Sequence, residues 1–136
     1  MYKTILVPVH LGDDEHAKAK IAMARKIGGK KARLIVASVI EEVPGFIATS
    51  LPAGILDKTR ATALAEVKAL VTVADPQAEV EVRMGHAAIT ILAIAEEKGA
   101  DLIIVGAHRP GLQDYFLGST AARVVRHSNC SVLVAR

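Results

Sequence analysis

The sequence predicts an α/β fold, a five-stranded parallel sheet with helices on both of its faces, and three observations indicate it. First, short apolar runs of strand length alternate with longer segments of helical periodicity along the whole chain. Second, the runs RLIVASVI (33–40) and LIIV (102–105) are apolar almost throughout, which is typical of strands covered on both faces. Third, glycine or proline stands at most changes of period. Strict alternation of strand and helix favours parallel strands joined by helical crossovers.

The five expected strands are residues 3–9, 33–40, 79–84, 102–105 and Ser131–Ala135. Pro8 fits near the end of the first strand, where the sheet requires no backbone N–H. In the third strand, EVEVRM, apolar and charged residues alternate. We therefore expect that strand to have one covered and one solvated face, as at an edge of the sheet.

The four expected helices are residues 13–28, 55–74, 86–98 and 121–127, the last opened by residues 118–120. Acidic residues at 13–15 suit the first turn of a helix, and Gly28 with Gly29 ends that helix. Residues 41–54 contain two prolines and two glycines, so we expect an irregular segment there that serves as a flap.

Length and composition predict one globular domain over residues 1–136. Hydrophobic residues make up 51% of the chain and charged residues 23%. The chain shows no membrane-spanning run and no signal-peptide pattern, and its single cysteine, Cys130, permits no internal disulfide. We therefore expect a cytoplasmic protein. We expect Cys130 to be a small residue of the apolar core. The net charge of +3 is scattered, and four aromatic residues offer few stacking platforms, which disfavours nucleic-acid binding.

A candidate anion site lies between the fourth strand and the last helix. The apolar run breaks at Gly106, a polar loop containing His108 and Arg109 follows, and Gly118-Ser119-Thr120 opens the helix. Unpaired N–H groups at a helix N-terminus attract anions, and glycine allows close approach of a phosphate. The same residues also fit an ordinary strand end and an ordinary helix cap, and no P-loop motif occurs.

The block GAHRPGLQDYFLGSTAARVVRHSNCSVLVAR, together with the opening MYKTILVPV, resembles the universal stress protein family. Nucleotide-binding members carry G-x2-G-x9-G-[ST] after the fourth strand, and Gly106 with Gly118-Ser119 match its ends. Arg109 stands at the second glycine, and the loop is one residue shorter. The pattern HRP…Y-x-LGS resembles a bacterial subgroup associated with ATP binding. The resemblance implies a Rossmann-like, adenine nucleotide alpha hydrolase-like fold with strand order 3-2-1-4-5.

The resemblance also implies a set of ligand contacts. Phosphates would meet Gly106, Gly118, Ser119 and Thr120, with charge from Arg109 and a loop contact from His108. Ribose and adenine would border Pro8, Val9 and His10, with the backbone of Val39 against adenine. Many members carry aspartate where this chain has His10, which changes the polar group offered to the nucleoside. No spacing suggests a protein-bound metal, and Mg²⁺ would arrive on the ATP phosphates.

Three functional hypotheses follow. The first is a dimeric ATP-binding regulatory or stress-response protein. The second is an interaction module of the same fold that binds no nucleotide, and the third is a slow ATPase. No nucleophile stands beside a base, so we expect a binding protein rather than an enzyme. The apolar last strand, Ser131–Ala135, predicts a homodimer through pairing of that strand with its copy, and the resemblance implies the same; a tetramer and an unidentified protein partner are left open.

Overall fold

The computed structural model describes residues 1–41, 50–107 and 117–136. Within those ranges the chain forms five strands and four helices in strict alternation. The strands are β1 (Thr4–Pro8), β2 (Arg33–Glu41), β3 (Glu79–Gly85), β4 (Leu102–Gly106) and β5 (Ser131–Ala135). The helices are α1 (Asp14–Gly28), α2 (Ile55–Ala74), α3 (Ala87–Lys98) and α4 (Ser119–His127).

All five strands are parallel and lie in the order β3-β2-β1-β4-β5, which confirms the expected sheet. Two apolar cores flank it. Residues of α1 and α2 such as Ile21 and Val67 pack on one face, and residues of α3 and α4 such as Ile94 and Val124 pack on the other. Alternate residues of one strand enter different cores, because successive side chains point to opposite faces.

The first helix ends as the glycine pair predicts. Gly29 takes a φ of 79°, a positive value that glycine adopts without strain, and its N–H donates to the Arg25 carbonyl. Gly28 lies in a tight space, since a Cβ there would stand 2.5 Å from the Cβ of Ala32. The absence of a side chain at Gly28 therefore lets α1 pass close to the start of β2.

Two carboxylates form hydrogen bonds near the amino-terminal edge of the sheet, one to the start of β1 and one between two helices. The Asp101 carboxylate, just before β4, accepts hydrogen bonds from the backbone N–H groups of Lys3 at 2.8 Å and Thr4 at 3.0 Å. Arg25 on α1 donates through Nε to the buried Asp75 carboxylate at the end of α2, at 2.7 Å. These contacts join elements that are distant in the sequence.

The two edges of the sheet differ in character. On β3, Glu79 pairs with Arg33, and Arg83 pairs with Glu81 and Glu97, so charged side chains cover that edge. This confirms that the alternating strand lies at an edge. On β5, the residues from Val132 to Ala135 are apolar and half-buried.

Apolar residues occur all round α3, and only those on one face of the helix are buried. Its buried residues are Ala88, Ile91, Ile94 and Ala95, whereas Ile89 is 66% exposed.

Cys130 is half-buried and precedes β5 rather than lying in it, with its Sγ 3.3 Å from the Ser128 hydroxyl. No helix in the described parts of the chain has the length and apolar character to cross a bilayer.

Candidate functional site

The sheet opens a crevice at the carboxyl ends of β1 and β4. These neighbours pair over two positions, Ile5 with Leu102 and Leu6 with Ile103, whereas β1 pairs with β2 over five. The chain leaves β1 toward β2 on one side, and β4 continues the sheet on the other, so the strand order reverses at this point. In open α/β sheets, ligands bind in the crevice at such a reversal.

A pocket occupies this crevice, and it gathers most of the described residues that the sequence predicts for the site. Six of them line it: Pro8, Val9, His10, Val39, Gly106 and Thr120. Three strand ends and the first turn of α4 thus face one space. The other lining residues include Ala37, Ile91 and Val105, which give the pocket an apolar floor.

Three predicted positions next to this pocket are placed at the start of α4. Gly118 is the residue before the helix, Ser119 is its first residue, and Thr120 is the one of the three that lines the pocket. Because the N-cap is glycine, no capping side chain covers the first turn. Predicted residues His108 and Arg109 fall outside the described residues.

The sequence reasoning missed Lys20, which also lines the pocket. Lys20 belongs to α1, is 8% exposed, and donates a hydrogen bond from Nζ to the carbonyl oxygen of Pro8 at the end of β1. Burial lowers the pKa of its ammonium to about 8, and the charge of Asp13 opposes that shift. The lysine therefore carries its charge at neutral pH in a place where burial disfavours it.

Glycine at position 106 opens the lysine to the pocket. A Cβ at Gly106 would have Lys20 Nζ as its nearest contact, at 3.9 Å. A larger side chain at this position would therefore approach the Lys20 ammonium and take up space in the pocket that both residues line.

His10 lines two neighbouring pockets. It is exposed, and it lines both the crevice pocket and a second pocket on the α1 side of the sheet. Lys20 and Gly106 also line both pockets, and the second one continues to His16 and Arg136. His16 Nδ1 lies 2.8 Å from the Asp13 carboxylate, and this hydrogen bond lowers the pKa of Asp13.

The described residues contain no group of three or more His, Cys, Asp or Glu side chains arranged to hold a metal ion. The polar parts of the pocket are instead an ammonium, an imidazole, a hydroxyl and the first turn of a helix. This donor set suits an anion, since ammonium and helix N–H groups both favour negative charge.

The whole chain, residues 1–136, matches the Universal stress protein family. The chain belongs to that family. A universal stress protein from Thermus aquaticus is 34% identical over 141 residues, which span all of both chains. Among solved structures, the universal stress protein UspA of Lactobacillus plantarum superposes with a TM-score of 0.76 at 28% identity, over 99% of this chain and 98% of that one.

A further solved relative is a universal stress protein in complex with cAMP. It superposes with a TM-score of 0.67 at 25% identity, over 99% of this chain and 97% of that one. This universal stress protein has the adenine nucleotide alpha hydrolase-like fold, with its strands in the order β3-β2-β1-β4-β5.

Proposed function

We propose that this universal stress protein is a nucleotide-binding regulatory protein that takes ATP at the crevice between β1 and β4, with Mg²⁺ carried on the phosphates. The observation that carries the proposal is the single pocket that collects Pro8, Val39, Gly106 and Thr120 from four separate elements. One extended ligand can touch all of them. The relative that is complexed with cAMP supports an adenine nucleotide as that ligand.

Each part of the nucleotide has residues suited to it. The phosphates lie against the first turn of α4, with Gly118, Ser119 and Thr120, where N–H groups and the helix dipole favour negative charge. Gly106 permits close approach of the ligand. Ribose and adenine lie against Pro8, Val9, His10 and Val39. Phosphate contacts from His108 and Arg109 stay predictions, since both fall outside the described residues.

The output of the protein is occupancy of this pocket rather than turnover. The lining contains Thr120 and His10, but no carboxylate, so no acidic residue among the described lining serves as a base toward an attacking water. We infer that nucleotide binding in the cytoplasm alters how the protein meets a partner protein during stress.

The direct test is the nucleotide content of the purified protein, followed by calorimetric titration of the emptied protein with ATP and Mg²⁺. We expect released ATP or ADP near one per chain. Gly106→Val fills the pocket and abolishes binding, whereas Ala93→Val, on the exposed side of α3, leaves it unchanged. Protein that is isolated empty and shows no heat with ATP would refute the proposal.

We also propose that two copies pair through β5. Ala135 turns its carbonyl toward β4, where it accepts a hydrogen bond from Ala107 N–H at 2.8 Å. Since backbone groups alternate sides along a strand, the N–H groups of Val132 and Val134 point to the open edge. Pairing of two such edges satisfies them and covers the half-buried apolar residues of β5.

Light scattering during size-exclusion chromatography tests this dimer. We expect twice the chain mass for the wild-type protein and the chain mass for Val134→Pro, which removes an outward donor and leaves the β4 side intact. A substitution on the same strand that keeps the N–H, Val134→Thr, is the matched control and stays dimeric. A monomeric wild-type protein at micromolar concentration would contradict the proposal.

A further inference from the structure

Lys20 is a cation on the buried face of α1, and that face is otherwise apolar. The other buried residues of α1 are Ala17, Ile21 and Ala24. Lysine is almost never buried without a partner, because removing its charge from water is costly. A specific interaction must therefore favour the ammonium at this position.

The contacts of Lys20 within residues 1–41, 50–107 and 117–136 do not supply a counter-charge. Its hydrogen bond goes to the neutral carbonyl of Pro8, and no ion pair within 4 Å joins it to a described carboxylate. The negative charge of Asp13 raises the pKa of Lys20 without an ion pair, and the carboxylate of Asp13 is hydrogen-bonded to His16. An ammonium has three donors, so one contact to Pro8 leaves donors for a ligand.

The position of the ammonium also points to a ligand. Lys20 lines the same pocket as Thr120 in the first turn of α4, and Gly106, without a side chain, does not cover it. A fixed cation and a helix N-terminus thus face one space from two different elements.

We propose that Lys20 binds a phosphate of the nucleotide and makes the site select phosphorylated ligands over the unphosphorylated nucleoside. This inference rests on the proposed function. The charge of the phosphate compensates the buried ammonium, and the ammonium replaces water around the phosphate. Lys20 is a specificity-determining residue of the crevice, in addition to the residues at the start of α4.

A purely structural lysine predicts a different outcome. In that case Lys20 would hold the end of β1 through the Pro8 carbonyl, and its loss would distort the pocket for every ligand alike. The two roles are separated by comparing ligands that share the nucleoside and differ in charge.

The experiment measures dissociation constants of adenosine, AMP, ATP and pyrophosphate for the wild-type protein, Lys20→Met and Lys20→Gln. Lys18→Met is the matched control, since Lys18 is exposed on the same helix. We expect both variants at position 20 to lose at least about tenfold in affinity for AMP, ATP and pyrophosphate, with adenosine affinity unchanged, as for loss of one charge-assisted hydrogen bond. The Lys18 variant should match the wild type.

The outcomes distinguish failure of the role of Lys20 from failure of the proposed function. Unchanged ATP and pyrophosphate affinity in both position-20 variants, or equal losses for adenosine and ATP, overturns the role of Lys20 and leaves the nucleotide site standing. A wild-type protein that binds pyrophosphate through Lys20 but no nucleotide refutes the proposed function and keeps the lysine as an anion site. A wild-type protein that binds none of the four probes refutes both.

Discussion

Replacing Lys20 by methionine is expected to stabilise the ligand-free protein, even though the residue is buried and hydrogen-bonded. Methionine has a similar length and carries no charge, so the variant keeps the packing on α1 and removes the buried ammonium. Burial lowers the pKa of Lys20 from 10.5 to about 8. That difference corresponds to a cost of about 3 kcal/mol for the charged form in the folded state.

The lost hydrogen bond to Pro8 offsets part of this gain. A hydrogen bond of this kind contributes about 1 kcal/mol, so the net stabilisation by Lys20→Met is about 2 kcal/mol at pH 7. The pH dependence has a definite sign. Because the folded-state pKa of Lys20 lies below its unfolded value, the folded wild type binds fewer protons between pH 8 and 10.5, and its stability rises with pH across that window.

Urea denaturation of both proteins at pH 7 and at pH 10 measures this difference. The advantage of Lys20→Met should be about 2 kcal/mol at pH 7 and should shrink to near zero at pH 10, with equal m-values throughout. A variant that is less stable than the wild type at pH 7, or an advantage that does not change with pH, would refute the reasoning. Together with weaker phosphate binding, the expected result shows a residue whose charge costs stability and serves the ligand.

Three further substitutions probe the scaffold at the amino-terminal edge of the sheet, opposite the crevice, and each is measured by urea denaturation. Gly28→Ala places a Cβ 2.5 Å from that of Ala32 and should destabilise the fold by about 1–3 kcal/mol; a neutral effect would mean that α1 shifts easily. Asp101→Ala removes an acceptor of two backbone N–H groups and should cost about 1–2 kcal/mol, whereas no loss would show that water replaces it. Asp75→Ala leaves Arg25 Nε without its carboxylate partner at 2.7 Å and should cost about 2 kcal/mol, whereas an unchanged stability would show that the pair contributes nothing; a double-mutant cycle with Arg25→Met measures the coupling, because Arg25 also donates to the carbonyls of Gly29 and Ala32.

The strands and their faces could be predicted because each carries a local signal. The alternation in EVEVRM placed β3 at an edge, and the unbroken apolar run after Leu102 indicated a buried β4. The order of the strands carries no such local signal. Alternation of strand and helix allows several orders, and the expected one came from the family resemblance.

Helix faces were predictable where polar residues alternate with apolar ones, and less so elsewhere. In α3 the sequence AAITILAIA is apolar all round, so periodicity does not show that Ile91 is buried and Ile89 exposed. Packing against α4 and the sheet selects the face.

The absence of Lys20 from the sequence prediction has a similar physical reason. Lys20 follows Ala17 by three residues and precedes Ala24 by four, so its spacing places it on the buried face of α1. Its residue type argues the other way, since lysines on helices are nearly always solvated, as Lys18 is. Periodicity was the better guide here than polarity.

The charged cover on β3 bears on how many copies of the chain can join. If both edge strands of a sheet can pair with another copy, one edge of each copy can add to the other edge of the next. Such an assembly does not close and can grow into a fibre. In this protein Arg33 pairs with Glu79, and Arg83 pairs with Glu81 and Glu97, so the strand at this edge carries charged side chains, which disfavour pairing with a further strand. Growth in that direction is disfavoured, so the proposed pairing through β5 would end with a closed assembly rather than a fibre.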